Sequence, residues 1–333
     1  SKELPASARR VRHRVWATTT PHATRAGRGG WAIERRSVFL RKEDKMKRLA
    51  IVLVLLMATS ASAWWPRGHG VLTRAAIEIL PSDFPVFMTS GVGVIAHSAV
   101  DPDLRKWIAA EHPLHYFNAE LLEGKTLPES RFEFGRLCAS EDIKLERVGL
   151  LPYAVAESTE QLAYALAEYR KWPEHPYIQD KCLVSAGIVA HYAQELCQPL
   201  NLTIFWNGRG EDGKPKNTRI HENIDGLIQN LELKPAIIAA DLKPEAVDSL
   251  MGAVVETMSG SRKHIEQALA LEKFLKKGVD YKSEEAVQEF TIQQARAAAE
   301  FTATLYLTAW KQSASIKLPG WIDRGKMDHF GRP

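Results

Sequence analysis

The chain has 333 residues, 45% of them apolar and 25% charged, a composition that suits one large or two ordinary globular domains. Its net charge of +4 is uneven: positions 1–63 hold 14 basic and 4 acidic residues, leaving 30 basic against 36 acidic in 64–333. A body that is acidic by about six charges does not bind polyanions through its bulk field, so any affinity for phosphate has to come from metal ions or a local pocket.

From Met46 the sequence reads Met-Lys-Arg, then an apolar run from Leu49 to Ala58, then Ala61-Ser-Ala63 before Trp64. A basic start, a short apolar middle and a small-residue cleavage site make a secretory signal peptide. The run falls well short of the roughly 20 apolar residues of a membrane-spanning helix. The expectation is export to the periplasm or outside the cell, cleavage after Ala63 and no stable membrane anchor. Residues 1–45, rich in Arg with little apolar periodicity, read as a disordered upstream extension, with a basic anion-binding tail as the alternative. The domain reading is thus 1–45 extension, 46–63 signal peptide and 64–333 one folded domain.

An amphipathic segment is predicted from about Gly70 to Leu80, closed by Pro81. Residues 84–118 read as short helices and loops broken by Pro, Gly and Asp, and 123–142 as loop. A long helix over 148–171 stops at Trp172-Pro173, and an apolar helix over 179–198 stops at Pro199, whose ring clashes with the preceding turn. A polar, Gly-rich loop spans 206–219. Further helices are predicted over 220–231, 243–258, 261–276 and 284–312, with a break at Gly260 and an irregular tail. No segment alternates with period two and no internal repeat is present, so the expected fold class is all-α, a single multi-helix domain. If 179–198 is one helix, Cys182 and Cys197 stand roughly 22 Å apart, too far to bridge. With Cys138 as the third thiol, at most one disulfide forms.

His191 and Glu195, four apart on the 179–198 helix, project from one face about one turn apart and can grip one divalent cation, although this spacing also makes an ordinary surface ion pair. Asn201 lies just past Pro199, near the same place. Other candidates are Trp64 and His69 in Trp-Trp-Pro-Arg-Gly-His, Asp101 with His115 fourteen residues on, and His221 with Asp225, which repeats the four-residue spacing. Asp103 competes with Asp101 and His112 with His115. Such a mixture of nitrogen and oxygen donors suits zinc. His97, His175, His264 and His329 fit no ligand spacing. Trp107, Tyr116 and Phe117 read as core packing, while Arg105 and Lys106 either touch substrate phosphate or form a solvated charged face.

In order and spacing these motifs resemble the superfamily of bacterial zinc-dependent phospholipase C and the fungal-type single-strand-specific nucleases. The resemblance runs through about 64–225. It matches a mature amino-terminal Trp whose α-amine and carbonyl bind zinc (Trp64), a His after Trp-x-x-x-Gly (His69), an Asp followed by a His-Tyr dipeptide (Asp101, His115), and a His-x-x-x-Asp-x-x-Gln-Pro-Leu/Met-His motif (His191 to Asn201). A final His-x-x-x-Asp/Glu matches His221 and Asp225. The resemblance implies up to three zinc ions, the first on Asp101, His115, His191 and Glu195, the second on Asn201, His221 and Asp225, the third on Trp64, His69 and Glu195. Two positions depart from the pattern: Glu195 replaces Asp, and Asn201, a weak oxygen donor, replaces His, which puts the second site in doubt. The implied activity is exported zinc-dependent phosphodiester hydrolysis, with Asp101 orienting the attacking water and Arg105 near the substrate phosphate. Single-stranded nucleic acid is the leading substrate reading, phospholipid the alternative, and a metal-depleted binding protein the non-enzymatic rival. No protein partner is evident.

Overall fold

The computed structural model describes residues 64–122, 124–276 and 278–326, which belong to a compact unit spanning Ser60–Pro333. The signal peptide, the upstream extension and His329 lie outside the described residues. Pro66 opens α1 (Pro66–Glu78), four residues ahead of the predicted start. A proline there has its φ preset for a helix and lacks an N–H that would otherwise be left unbonded. The earlier start brings His69 onto the buried face with Leu72, Thr73, Ala75 and Ala76. Two short helices, α2 (Val92–Ser98) and α3 (Asp101–Arg105), then lead to a 3₁₀ turn at His112–His115.

The stretch expected to be loop contains α4 (Arg131–Ser140), whose Ser130 side chain accepts a hydrogen bond from the Glu133 amide. Ser-Arg-Phe-Glu is the capping sequence that announces a helix start. After a turn at Leu145–Val148, Gly149 takes a φ of 93° and α5 (Leu151–Lys171) begins. A Cβ at Gly149 would lie 2.0 Å from the Tyr116 carbonyl oxygen, so only glycine lets this corner close on the segment that carries His115.

The central helix α6 (Pro176–Leu196) packs against α5, α2 and the long α9 (Glu285–Ser313). Being covered on several sides, it is apolar nearly all round. Ala186, Val189, Ala190 and Ala193 on α6, and Ala295, Ala298, Ala299 and Ala303 on α9, are buried in the same core. Such small side chains let helix backbones approach closely. The tightest approach is at Gly187, where a Cβ would stand 2.6 Å from the Ser98 Cβ and 2.7 Å from the Ile95 carbonyl oxygen of α2. α6 ends at Leu196, and Pro199–Leu202 follows as a 3₁₀ turn.

The predicted 220–231 helix is broken at Gly226 into α7 (Ile220–Asp225) and a turn at Leu227–Asn230. The 243–258 helix lies further on, as α8 (Leu250–Arg262), because the Ser249 hydroxyl accepts from the Gly252 amide and fixes the start. Gly260 lies inside α8 and does not break it. Ile265–Ala270 is a separate short helix, and α9 agrees with its predicted bounds within one residue at each end. The fold is all-α: among the described residues there is no strand, only an isolated bridge between Arg209 and Pro215 in the polar loop. None of the described helices is long and apolar enough to cross a membrane. Cys138, Cys182 and Cys197 are all buried and unbridged.

Candidate metal centre

His191 and Glu195 lie on the last full turn of α6 and are both fully buried. The His191 Nδ1–H donates to the Ala99 carbonyl at 2.8 Å. Because a carbonyl only accepts, the proton is on Nδ1 and Nε2 keeps its lone pair. Burial, and then the neighbouring His69 and His115, hold His191 far below the ordinary imidazole range, so it is neutral.

His69 is set by a longer chain of bonds. The Thr73 hydroxyl donates to the His69 carbonyl at 2.8 Å and accepts from the Gln194 side-chain N–H at 3.0 Å. The Gln194 oxygen is therefore turned to His69 Nδ1, 2.7 Å away, and takes its proton. His69 Nε2 is left facing Glu195 Oε1 at 3.8 Å and Asp103 Oδ2 at 3.9 Å. Two imidazoles thus direct their Nε2 edges inward, each oriented by an acceptor on its far nitrogen, the arrangement that metal-ligating histidines adopt.

Ligand atoms of Asp103, His115, His191 and Glu195 all lie within 4.8 Å of one another. His115 Nδ1 is 3.1 Å from His191 Nε2, 3.5 Å from Glu195 Oε1 and 4.0 Å from Asp103 Oδ1, and His191 Nε2 is 3.3 Å from Glu195 Oε1. Ligands about 2.0–2.1 Å from one tetrahedral zinc stand roughly 3.3 Å from each other. These separations fit such an ion without rearrangement of the helices. Burial by itself would depress His115, but Glu111 and Glu195 outweigh it and raise the imidazole above its usual value. Glu111 Oε1 stands 3.7 Å from His115 Nε2 and accepts the Tyr192 hydroxyl.

Asp103, not Asp101, meets this cluster. Both lie on α3, where two residues are about 200° of rotation, so a turn that aims Asp103 inward aims Asp101 away. The same geometry puts Lys106, three residues on, beside Asp103: its ammonium is 2.8 Å from Asp103 Oδ1 and the residue is only 6% exposed. Arg105, expected near substrate phosphate, pairs with Glu111 at 3.4 Å. Leu104, Trp107 and Ile108 take the outer face, 73%, 76% and 55% exposed. Trp107 is accordingly not a core residue, whereas Phe117 is fully buried. His112 lies edge-on to Tyr116, outside the converging group.

Asn201, His221 and Asp225 also come together, as a hydrogen-bonded line. The Asn201 amide N–H donates to the Glu195 carbonyl at 3.0 Å and to Glu195 Oε2 at 2.6 Å, which turns its oxygen to the His221 Nε2–H at 2.8 Å. His221 Nδ1 then faces Asp225 Oδ2 at 3.5 Å, and neither atom has a hydrogen-bond partner among the described residues. The Gln198 amide donates to the other Asp225 oxygen at 2.9 Å. Burial pushes Asp225 well above the carboxylate range and His221 down to about 3, so both are neutral. Trp64 is fully buried, with its indole N–H donating at 3.1 Å to the carbonyl of Gln194, the residue before Glu195. The Trp65 amide donates to the Asp225 carbonyl at 3.1 Å.

Reasoning from sequence missed Glu111 and Gln194, which nothing local marks. It read Lys106 as a phosphate contact or part of a solvated charged face, and the residue is instead buried beside Asp103. His97 is exposed, and His175 and His264 are partly buried, each outside the cluster.

No protein-family description matches this chain, and no curated protein does. Among solved structures, the alpha toxin from Clostridium absonum is similar at a TM-score of 0.42 and 12% identity, over 77% of this chain and 68% of that one. The Clostridium perfringens alpha-toxin from avian strain SWCP is similar at 0.41 and 9%, over 75% of this chain and 64% of that one. A likeness this distant carries no functional argument, which rests on the side chains.

Proposed function

We propose that this chain is a zinc-dependent hydrolase of phosphodiester bonds acting on phospholipid headgroups at a lipid surface. The observation that carries the hydrolase reading is the convergence of Asp103, His115, His191 and Glu195 at ligand-to-ligand separations. Zinc bound there supplies Lewis acidity toward a phosphoryl oxygen and makes a coordinated water more acidic. The chain's own residues do the rest. Ala99 and Gln194 accept from the Nδ1–H groups of His191 and His69 and so turn the Nε2 edge of each ring inward. Glu111, itself braced by Tyr192, holds His115 from its far side. Asp103 takes the water-orienting role that sequence reasoning gave to Asp101. Glu195 is the shared carboxylate, meeting His69, His115 and His191 through Oε1 and Asn201 through Oε2. Trp64, whose indole N–H meets the Gln194 carbonyl, remains the proposed ligand of a third ion through its backbone.

The substrate class follows from the turn that bears Asp103. Its outward residues Leu104, Trp107 and Ile108 suit the boundary between headgroups and acyl chains, where apolar and aromatic side chains partition. Seating them there would bring lipid phosphodiesters to the adjoining cluster. A single exposed Trp107 also suits stacking on an unpaired base, which keeps single-stranded nucleic acid as the second reading. The 36 acidic against 30 basic residues of 64–333 provide no field to gather a polyanion.

The test offers zinc-supplemented protein phosphatidylcholine vesicles, single-stranded DNA and RNA, and repeats the vesicle assay with Trp107→Ala. The expected result is release of the phosphorylated headgroup, weakened on the order of tenfold by the loss of one buried aromatic contact, with hydrolysis of a soluble short-chain phosphodiester unchanged. Cleavage of DNA or RNA with intact lipid would return the protein to the nucleases.

A further inference from the structure

α1 and α2 pack side by side, and a groove of about 380 Å³ runs along their seam. Volumes of this order hold small organic ligands. α1 contributes Arg67, Gly70 and Arg74 to the walls, and α2 contributes Gly93, Ala96 and His97. The spacing i, i+3, i+7 keeps the α1 residues on one face, with the two arginines about two turns apart. Among the described residues no carboxylate lines the groove, in a body of 36 acidic against 30 basic residues. Among the same residues neither Arg67 nor Arg74 has an ion pair, a side-chain hydrogen bond or a ring beneath it, and both are exposed.

The floor of the groove gives a second, independent sign. Glycine inside a helix is destabilising relative to alanine, and close packing or a positive φ commonly accounts for it. Gly187 has such a reason, in the 2.6 Å approach to Ser98. Gly70 and Gly93 have neither: they lie within α1 and α2, φ is not positive, and a Cβ at either would meet nothing within 4 Å. What the two missing side chains leave is open space beside bare backbone, between the arginines of one helix and the histidine of the other.

We propose that this groove binds a phosphate monoester, whose oxygens are gripped by the guanidiniums of Arg67 and Arg74 while His97 meets the ligand from α2 and the two glycines make room for it. A guanidinium is planar, permanently charged and matched to phosphate through paired N–H donors. The groove is thereby the local pocket that an acidic body needs in order to hold phosphate. His69 serves the metal centre from the buried face of the same helix, so the two sites are separate and the proposal stands apart from the hydrolase reading. The same chemistry is offered by a free phosphorylated small molecule and by phosphatidic acid in a bilayer. A pair of merely solvated arginines predicts no such binding.

The experiment titrates the full chain with glycerol 3-phosphate by calorimetry and sediments it with phosphatidylcholine vesicles with and without phosphatidic acid, each before and after zinc is removed by a chelator. It is repeated on Arg67→Gln with Arg74→Gln, and on Gly70→Leu, which fills the floor and keeps both charges. The expected result is binding that survives chelation and weakens on the order of tenfold or more in both variants, as befits charge-assisted bonds. Gly70→Leu is expected to melt no lower than the parent, because leucine is the better helix former and the space is open, so its loss of binding is not a loss of fold. Binding of glycerol 3-phosphate assigns the free ligand, and binding to phosphatidic acid vesicles alone assigns the lipid headgroup. No binding in either arm, or affinity that vanishes on chelation and is unchanged in the two variants, overturns the proposal.

Discussion

Aspartate 103 and aspartate 101 differ by two positions, and of the two it is Asp103 whose carboxylate lies among the histidine and Glu195 ligand atoms. We expect Asp103→Asn to weaken zinc binding by at least ~10-fold, since it removes a charged ligand from a buried cluster. Asp101→Asn should leave affinity unchanged. Equal losses in the two variants, read by competition with a chromophoric chelator, would show that α3 presents both carboxylates to the ion. His191→Ala should strip metal more completely, because it deletes an imidazole whose far nitrogen is already fixed by Ala99. Retention of parental zinc in that variant would reduce His191 and Glu195 to a buried ion pair.

At the scale of the element, the site depends on how closely α2 approaches α6. The carbonyl that orients His191 belongs to Ala99, just past the end of α2, and Gly187 is what lets α2 lie against the middle of α6. Gly187→Ala places a methyl group 2.6 Å from Ser98 Cβ and should cost about 1–3 kcal/mol, as overpacking of a tight core does. Denaturant unfolding would show this as a lower midpoint with the slope unchanged. A more stable variant would mean that α2 shifts without penalty. In sequence, Gly187 is merely a glycine in a helical run, and its cost–benefit depends on a helix some ninety residues earlier.

Across the whole molecule, the three thiols and the metal centre should both behave as parts of one buried interior. Burial pushes Cys182 and Cys197 up to about 12, and Cys138 is raised too. None should react with a thiol reagent until the chain unfolds; labelling of one thiol in the native state at the rate of free cysteine would place it at an opening segment instead. Removing zinc with a chelator should lower the melting temperature. An ion at about a hundred times its Kd stabilises the folded state by ~2.7 kcal/mol, which amounts to several degrees in a chain of this size. No change in melting temperature on chelation would argue that the cluster holds no ion.

The sequence by itself determined the all-α class, the central helix with His191 and Glu195 one turn apart, the stop at Pro199, and the His221–Asp225 pair, because helical periodicity and proline chemistry are local. It also marks Ser130 as a cap, three residues before Glu133. It did not determine which carboxylate of Asp101 and Asp103 enters the cluster, that Arg105 turns to Glu111 while Lys106 is buried, or that Trp107 is exposed. Each of those depends on the rotation of a five-residue helix about its own axis. So short a helix has no stripe of its own to set that rotation, and packing against α6 sets it. The orientation of the His69 and His191 rings was equally out of reach, since it is decided by Gln194 and Ala99, partners that only the folded chain brings within hydrogen-bond distance.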